Sequence, residues 1–123
     1  MLRAIAYAAA TAFLLTNGAA QAAYPERTVT IITPFAPGGI ADVVARLTAE
    51  RLQSVLKQNF VVENVSGAGG TAGPERVAKI TPDGYTLMST PIFQLTTAKY
   101  AHNVSFDEST FKAISGVASA PFA

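Results

Sequence analysis

Apolar, β-branched runs alternate with helical patterns along this chain, and that alternation limits the fold more than any other feature. TVTIITPF (residues 28–35) reads as a strand closed by Pro34 and Pro37, and FVVEN (residues 60–64) as a second. Residues 85–90 read as a third strand, after a turn at Pro82-Asp83-Gly84. Near-continuous apolar character at Val29, Ile31 and Ile32 suits a strand covered on both faces. Between the first two strands, Ile40, Val43, Val44 and Leu47 share one helical face that Leu52, Val55 and Leu56 continue. Arg46, Glu50, Arg51 and Lys57 are left largely for solvent. A shorter helix fits residues 74–80, with Pro74 in its first turn and Lys79 near its end. Beyond the third strand, IFQLTTAKYA has weak helical spacing and FKAISGVAS (residues 111–119) is expected as a fourth strand. The order βαβαβ requires right-handed crossovers and a mostly parallel sheet with helices on both faces, hence an α/β domain.

The N-terminal stretch lies outside that pattern. Met1-Leu2-Arg3 is a short basic start, AIAYAAATAFLLT is an uninterrupted apolar run, and NGAAQA supplies small residues with Ala20 and Ala22 at the −3 and −1 positions. We expect a signal peptide over residues 1–22, cleaved after Ala22, because the run is short for a membrane span. Residues 23–123 then form the domain. With Arg3 removed, nine Lys plus Arg become eight against eight Asp plus Glu, and a neutral chain gives no footing for nucleic acid. The absence of cysteine decides nothing by itself. The apolar end FKAISGVASAPFA, with no polar tail, leads us to expect a truncated chain.

In a parallel sheet every strand-to-helix loop lies at the carboxyl edge of the strands. Two unusual loops collect there, PFAPGGIAD after the first strand and SGAGGTAG after the second. Taken singly, each reads first as a tight connection; two on consecutive strands favour a site. Glycine lets a ligand approach bare backbone, and the unpaired N–H groups of the following helices point toward one crevice. Neither loop holds a Lys, Arg or His, so the site suits reversible capture of a carboxylate or phosphate and not chemistry. Asp42, in the first helical turn, is expected to cap before it contacts a ligand. Phe35 either walls the pocket or packs, and Ser89, Thr90 and Gln94 close the third strand at the same edge as ligand or water contacts.

G-A-G-G-T-A, from Gly67 to Ala72, also fits the dinucleotide fingerprint. That reading needs an acidic residue near the end of the next strand, and the nearest, Asp83, stands in a turn before it. No Gly-Lys-Ser/Thr follows the glycines, which excludes a P-loop. His102 is the only histidine and reads as a solvated bystander, and Asp107-Glu108 beside Ser109 and Thr110 reads as a helix or turn start. No nucleophile–base pair and no metal site can be assembled.

The order of motifs YPERTVTIITPFAPGGIADVVAR, VVENVSGAGGTAG and ITPDGYTLMST resembles the substrate-binding proteins of tripartite tricarboxylate transporters, the Bug-type periplasmic receptors. The resemblance covers nearly all of the segment after the signal. It implies a two-lobed, type II periplasmic-binding-protein-like fold in which a carboxylate-bearing solute is held between lobes, with this chain supplying only the N-terminal part of lobe one. It implies ligand contacts from Phe35, Gly38, Gly39, Ile40, Ala41 and Asp42, and from Ala68, Gly69, Gly70 and Thr71, chiefly through backbone N–H groups; Ser89 and Thr90 are weaker transfers. Ile40 and Ala41 stand where the family usually has small or hydroxyl residues, Val65-Ser66 where Arg-Pro is common, and Pro74 is atypical. The expectation is a periplasmic solute receptor, without catalysis, cofactor or metal, that hands a small carboxylate or related polar solute to membrane transporter subunits. The alternatives are a dinucleotide-binding oxidoreductase domain and a non-functional truncated product.

Overall fold

The structure, a computed structural model, describes residues 24–119. The expected signal segment and its cleavage point lie outside the described residues. Strand β1 (Val29–Thr33) leads into helix α1 (Ile40–Leu56), then strand β2 (Phe60–Asn64). A 3-10 turn (Ala68–Gly70) precedes helix α2 (Ala72–Ala78), strand β3 (Thr86–Met88), helix α3 (Ile92–Ala101) and a last 3-10 turn (Glu108–Thr110). The three strands form one parallel sheet in the order β2-β1-β3, as the alternation requires. Its register places Ile31 between Val62 and Leu87, and Ile32 between Glu63 and Met88.

The pleat sorts the core. Val29 and Ile31, with Phe60 from β2, face Ala45 and Ala49 of α1, while Leu52, Val62, Tyr85 and Leu87 pack around them. The second cluster gathers Leu95 and Ala98 of α3 with Phe106, flanked by Met88, Ala78, Val104 and Phe111. Each fully buried aliphatic side chain, Val29 and Ile32 among them, is worth about 1.5–3 kcal/mol. Ser89 N–H donates to Ile32 O and Val65 N–H to Thr33 O, both at 2.9 Å, so the ladder runs on to the carboxyl edge where the loops leave.

Three expectations are corrected. Helix α1 buries Asp42, Ala45 and Ala49, while Ile40 (80% exposed), Val43, Leu47 and Val55 stand outward, so the face chosen from apolar spacing is not the one on the sheet. The two alanines let the helix axis approach the strands, which larger side chains at those positions would prevent. Residues 111–119 form no strand and are largely exposed, because no strand lies alongside to pair with them among the described residues. The third strand is shorter than expected, Thr86–Met88. At the opposite edge, Arg27 pairs with Asp83 at 2.8 Å and lies 4.0 Å over the Tyr85 ring, while Tyr24 donates to Gly84 O. The YPER segment is thereby tied to the PDGY turn.

Candidate functional site

The first loop is held open by a saturated carboxylate. Asp42, 2% exposed, accepts from Gly38 N–H at 2.9 Å, Arg46 Nε at 3.0 Å and Asn64 Nδ2 at 2.8 Å, with Arg46 Nη2 3.0 Å from its other oxygen. Asn64 also donates to Phe35 O at 3.0 Å and accepts from Arg46 Nη2 at 3.1 Å. The end of β2 thus fixes both ends of the loop that leaves β1. The Arg46 bond, then those from Gly38 and Asn64, hold the Asp42 carboxyl well below the usual carboxylate range against the cost of desolvation; Arg46 is raised in turn. With its charge matched and its lone pairs occupied, Asp42 shapes the loop and does not present itself to a ligand. Arg46, read from sequence as a solvent residue, is the partner that the Asp-x-x-x-Arg spacing on one helix offers.

Helix α1 starts from Gly39, which has no side chain to close its first turn, and Val43 N–H is bonded to Gly39 O at 3.0 Å. The amides of Ile40 and Ala41 are left at the positive end of a 17-residue helix, beside exposed Gly38 and Gly39. Phe35 is half-buried next to them, and its fixed atom is its carbonyl.

The second loop winds through left-handed backbone at Ala68 (φ 49°), Gly69 (φ 65°) and Gly70 (φ 90°). This turns several amides inward: Gly70 N–H donates to Gly67 O at 2.9 Å and Thr71 N–H to Ala68 O at 3.3 Å, while Thr71 Oγ1 donates to the same Ala68 O at 2.9 Å. The Gly70 and Thr71 N–H groups are therefore engaged in the loop's own hydrogen bonds. The amides of Ser66, Gly67, Ala68 and Gly69 make no backbone hydrogen bond among the described residues and remain as donors, Ala68 and Gly69 among the expected contacts. The two loops touch at Gly73, where a Cβ would fall 2.9 Å from Pro34 Cβ and 3.1 Å from Pro34 Cα.

Helix α3 closes the far side. Gln94, buried, donates from Nε2 to Gly69 O at 3.0 Å, and its amide lies where a Cβ on Gly70 would stand. Ser89 ends the β1–β3 ladder, as its expected place required. Among the described residues, the Thr90 hydroxyl and that of fully buried Thr33 have no hydrogen-bond partner. His102, read from sequence as a solvated bystander, is exposed, and its imidazole lies against Gly69, 2.7 Å from where a Cβ would be. Among the described residues no group of three or more His, Cys, Asp or Glu gathers to hold a metal ion.

The sequence of residues 44–123 matches the tripartite tricarboxylate transporter family receptor. A protein of Agrobacterium vitis described as a UPF0065 protein in the TAR-I ttuE-ttuC' intergenic region is 45% identical over 87 residues, which is 71% of this chain and 25% of that protein. A solved structure described as a periplasmic transporter superposes with a TM-score of 0.63 at 40% identity, covering 69% of this chain and 29% of its own. MatC from Rhodopseudomonas palustris with bound malate gives 0.51 at 49% identity, over 53% of this chain and 22% of its own. The chain therefore spans about a quarter of the length of these three proteins. Its parallel α/β sheet is a part of the periplasmic-binding-protein-like fold of those neighbours. With the matched segment covering most of the described residues, the chain belongs to the tripartite tricarboxylate transporter receptor family.

Proposed function

We propose that this chain supplies one wall of an extracytoplasmic solute cleft and captures one carboxylate of a small molecule for a tripartite-type transporter. The observation that carries this reading is the convergence of two uncharged loops at one sheet edge, each with amides left over from its own folding: Ile40 and Ala41 in the first, Ala68 and Gly69 in the second. Donors of this kind on a helix end favour an anion. The matched charge of Asp42 removes the repulsion that a free carboxylate would impose there. Malate, bound by the R. palustris neighbour, is the kind of solute such a cradle accepts. Phe35 forms the apolar side of the cradle, and Gly38, Gly39, Ser89 and Thr90 line its floor and rim. Binding and release is the whole task, with no bond made or broken. Periplasmic location and hand-over to membrane subunits follow from the same reading.

The test is a titration of the 15N-labelled chain with malate, adipate and citrate, following backbone amides. Dose-dependent movement of the Ala41 and Gly69 resonances, weak in affinity because one wall of a cleft buries little of the ligand, is expected. Resonances of both loops unmoved by all three acids at millimolar concentration would sink the proposal.

A further inference from the structure

The histidine at the second loop has a use that the loops' backbone donors do not provide. Gln94 of α3 holds Gly69 O at 3.0 Å, and His102, the residue just past the end of α3, is anchored by its N–H to Ala98 O at 2.8 Å. Glycine at position 69 leaves the space the imidazole takes, since a Cβ there would meet Nε2 at 2.7 Å and Cε1 at 2.8 Å. The ring edge carrying Nε2 thus lies against Gly69, whose amide is one of the donors left in that loop. His102 itself is exposed and open to a solute.

We infer that His102 is a further solute-binding residue, whose Nε2–H adds a charge-assisted hydrogen bond to the carboxylate held by the second loop, so that capture strengthens as the medium becomes more acid. This rests on the carboxylate reading of the site. Histidine is the side chain that ordinarily changes charge between pH 5 and 8, and a carboxylate beside it favours the protonated form. The surroundings leave that role open. Residues 66–73 contain no charged side chain, and Gln94, the α3 side chain on the same loop, is neutral. Lys99 of α3 is paired with Glu108 at 3.0 Å, Asp107 is engaged by Ser109, and the helix α2 cation Arg76 is paired with Glu63.

The sign follows from charge: a protonated imidazole attracts the carboxylate and a neutral one does not, so a more acid medium strengthens binding. Malate affinity is expected to be about threefold to tenfold higher near pH 6 than near pH 8, the scale of one partly solvated charge-assisted bond. In His102→Gln the ratio should fall below about twofold. Gly69→Ala, whose Cβ evicts the ring, should flatten the pH profile in the same way. Since His102 is the only histidine, its ring protons give one unambiguous NMR signal, which malate should move. Loop amides that respond to malate while the ring signal stays still, or an unchanged pH ratio in His102→Gln, would overturn the inference and leave the carboxylate site standing. Loop amides that ignore malate at every pH would overturn the site reading and this inference with it.

Discussion

Gly73 is where the two loops are pressed together, and replacing it with alanine sets two effects against each other. Gly73 is helical and buried in the first turn of α2, so alanine gains up to about 1 kcal/mol in helix propensity, and less than that near a helix start. Against it stands overpacking. The added Cβ would lie 2.9 Å from Pro34 Cβ, 3.1 Å from Pro34 Cα and 3.4 Å from Val65 O. None of these is the free end of a flexible side chain: Pro34 is fully buried with its ring closed on the backbone, and Val65 is pinned by its N–H to Thr33 O at 2.9 Å. Relief has to come from moving one loop away from the other, which typically costs about 1–3 kcal/mol. The clash wins, and Gly73→Ala should lose about 1–2 kcal/mol net. Urea unfolding checks it: a lower midpoint with an unchanged slope, and a fall in Tm of roughly 4–8 °C for each kcal/mol in a domain of this size. Gly116→Ala, where nothing lies within 4 Å of the new methyl, is the control and should stay within about 0.5 kcal/mol of the parent. Separated loops should also bind malate more weakly. A Gly73→Ala protein as stable as the parent would refute the claim that the loops are packed against each other through this glycine.

The remaining predictions concern the scaffolding of the same edge. Gly70→Ala forces a side chain into φ 90° and against the Gln94 amide 2.9 Å away, and should cost about 1–2 kcal/mol by urea unfolding. Asn64→Ala removes the bonds to Phe35 O and Asp42, and hydrogen exchange at Gly38 should accelerate about tenfold as the first loop loosens. The folded Asp42 carboxyl is depressed by Arg46, Gly38 and Asn64, so its contribution to stability is fully present above the ordinary carboxylate pKa of about 3.9 and fades as pH falls below it. Asp42→Asn should therefore be less stable than the parent at neutral pH but lose less on acidification, measured by thermal unfolding near pH 7 and near pH 3; equal acid sensitivity in both proteins would contradict this.

The frame of the fold was legible because strand and helix periods differ so sharply. Phe60–Asn64 and the start of α1 at Ile40 follow directly from β-branched runs and from glycine-punctuated turns. The orientation of α1 was not legible. Apolar spacing measures which side chains leave water most readily, and it pointed to Ile40, Val43 and Leu47, all exposed along this span. The sheet instead receives Ala45 and Ala49, chosen by how closely the backbones approach, and Asp42, whose burial is tolerable only because three donors meet it. No transfer scale anticipates a buried aspartate, since the compensation comes from Asn64 on another strand.

The same distinction governs the site. That two glycine loops would share one edge was deducible from parallel topology alone. Which of their amides remain free was not, because backbone bonds inside a tight loop depend on φ values that the letters GAGG leave open. Gly70 and Thr71 commit their amides to Gly67 and Ala68 to hold the left-handed path, and that path leaves the Ala68 and Gly69 amides without a backbone partner among the described residues and sets Gly69 against His102. Glycine here acts less as a permissive hinge than as a vacancy of defined size: position 69 is filled by an imidazole, position 70 by the Gln94 amide and position 73 by Pro34. Each absent methyl admits a neighbour that a sequence motif does not name. The chemistry of this edge is therefore set by the residues that fill those spaces, as much as by the glycines that create them.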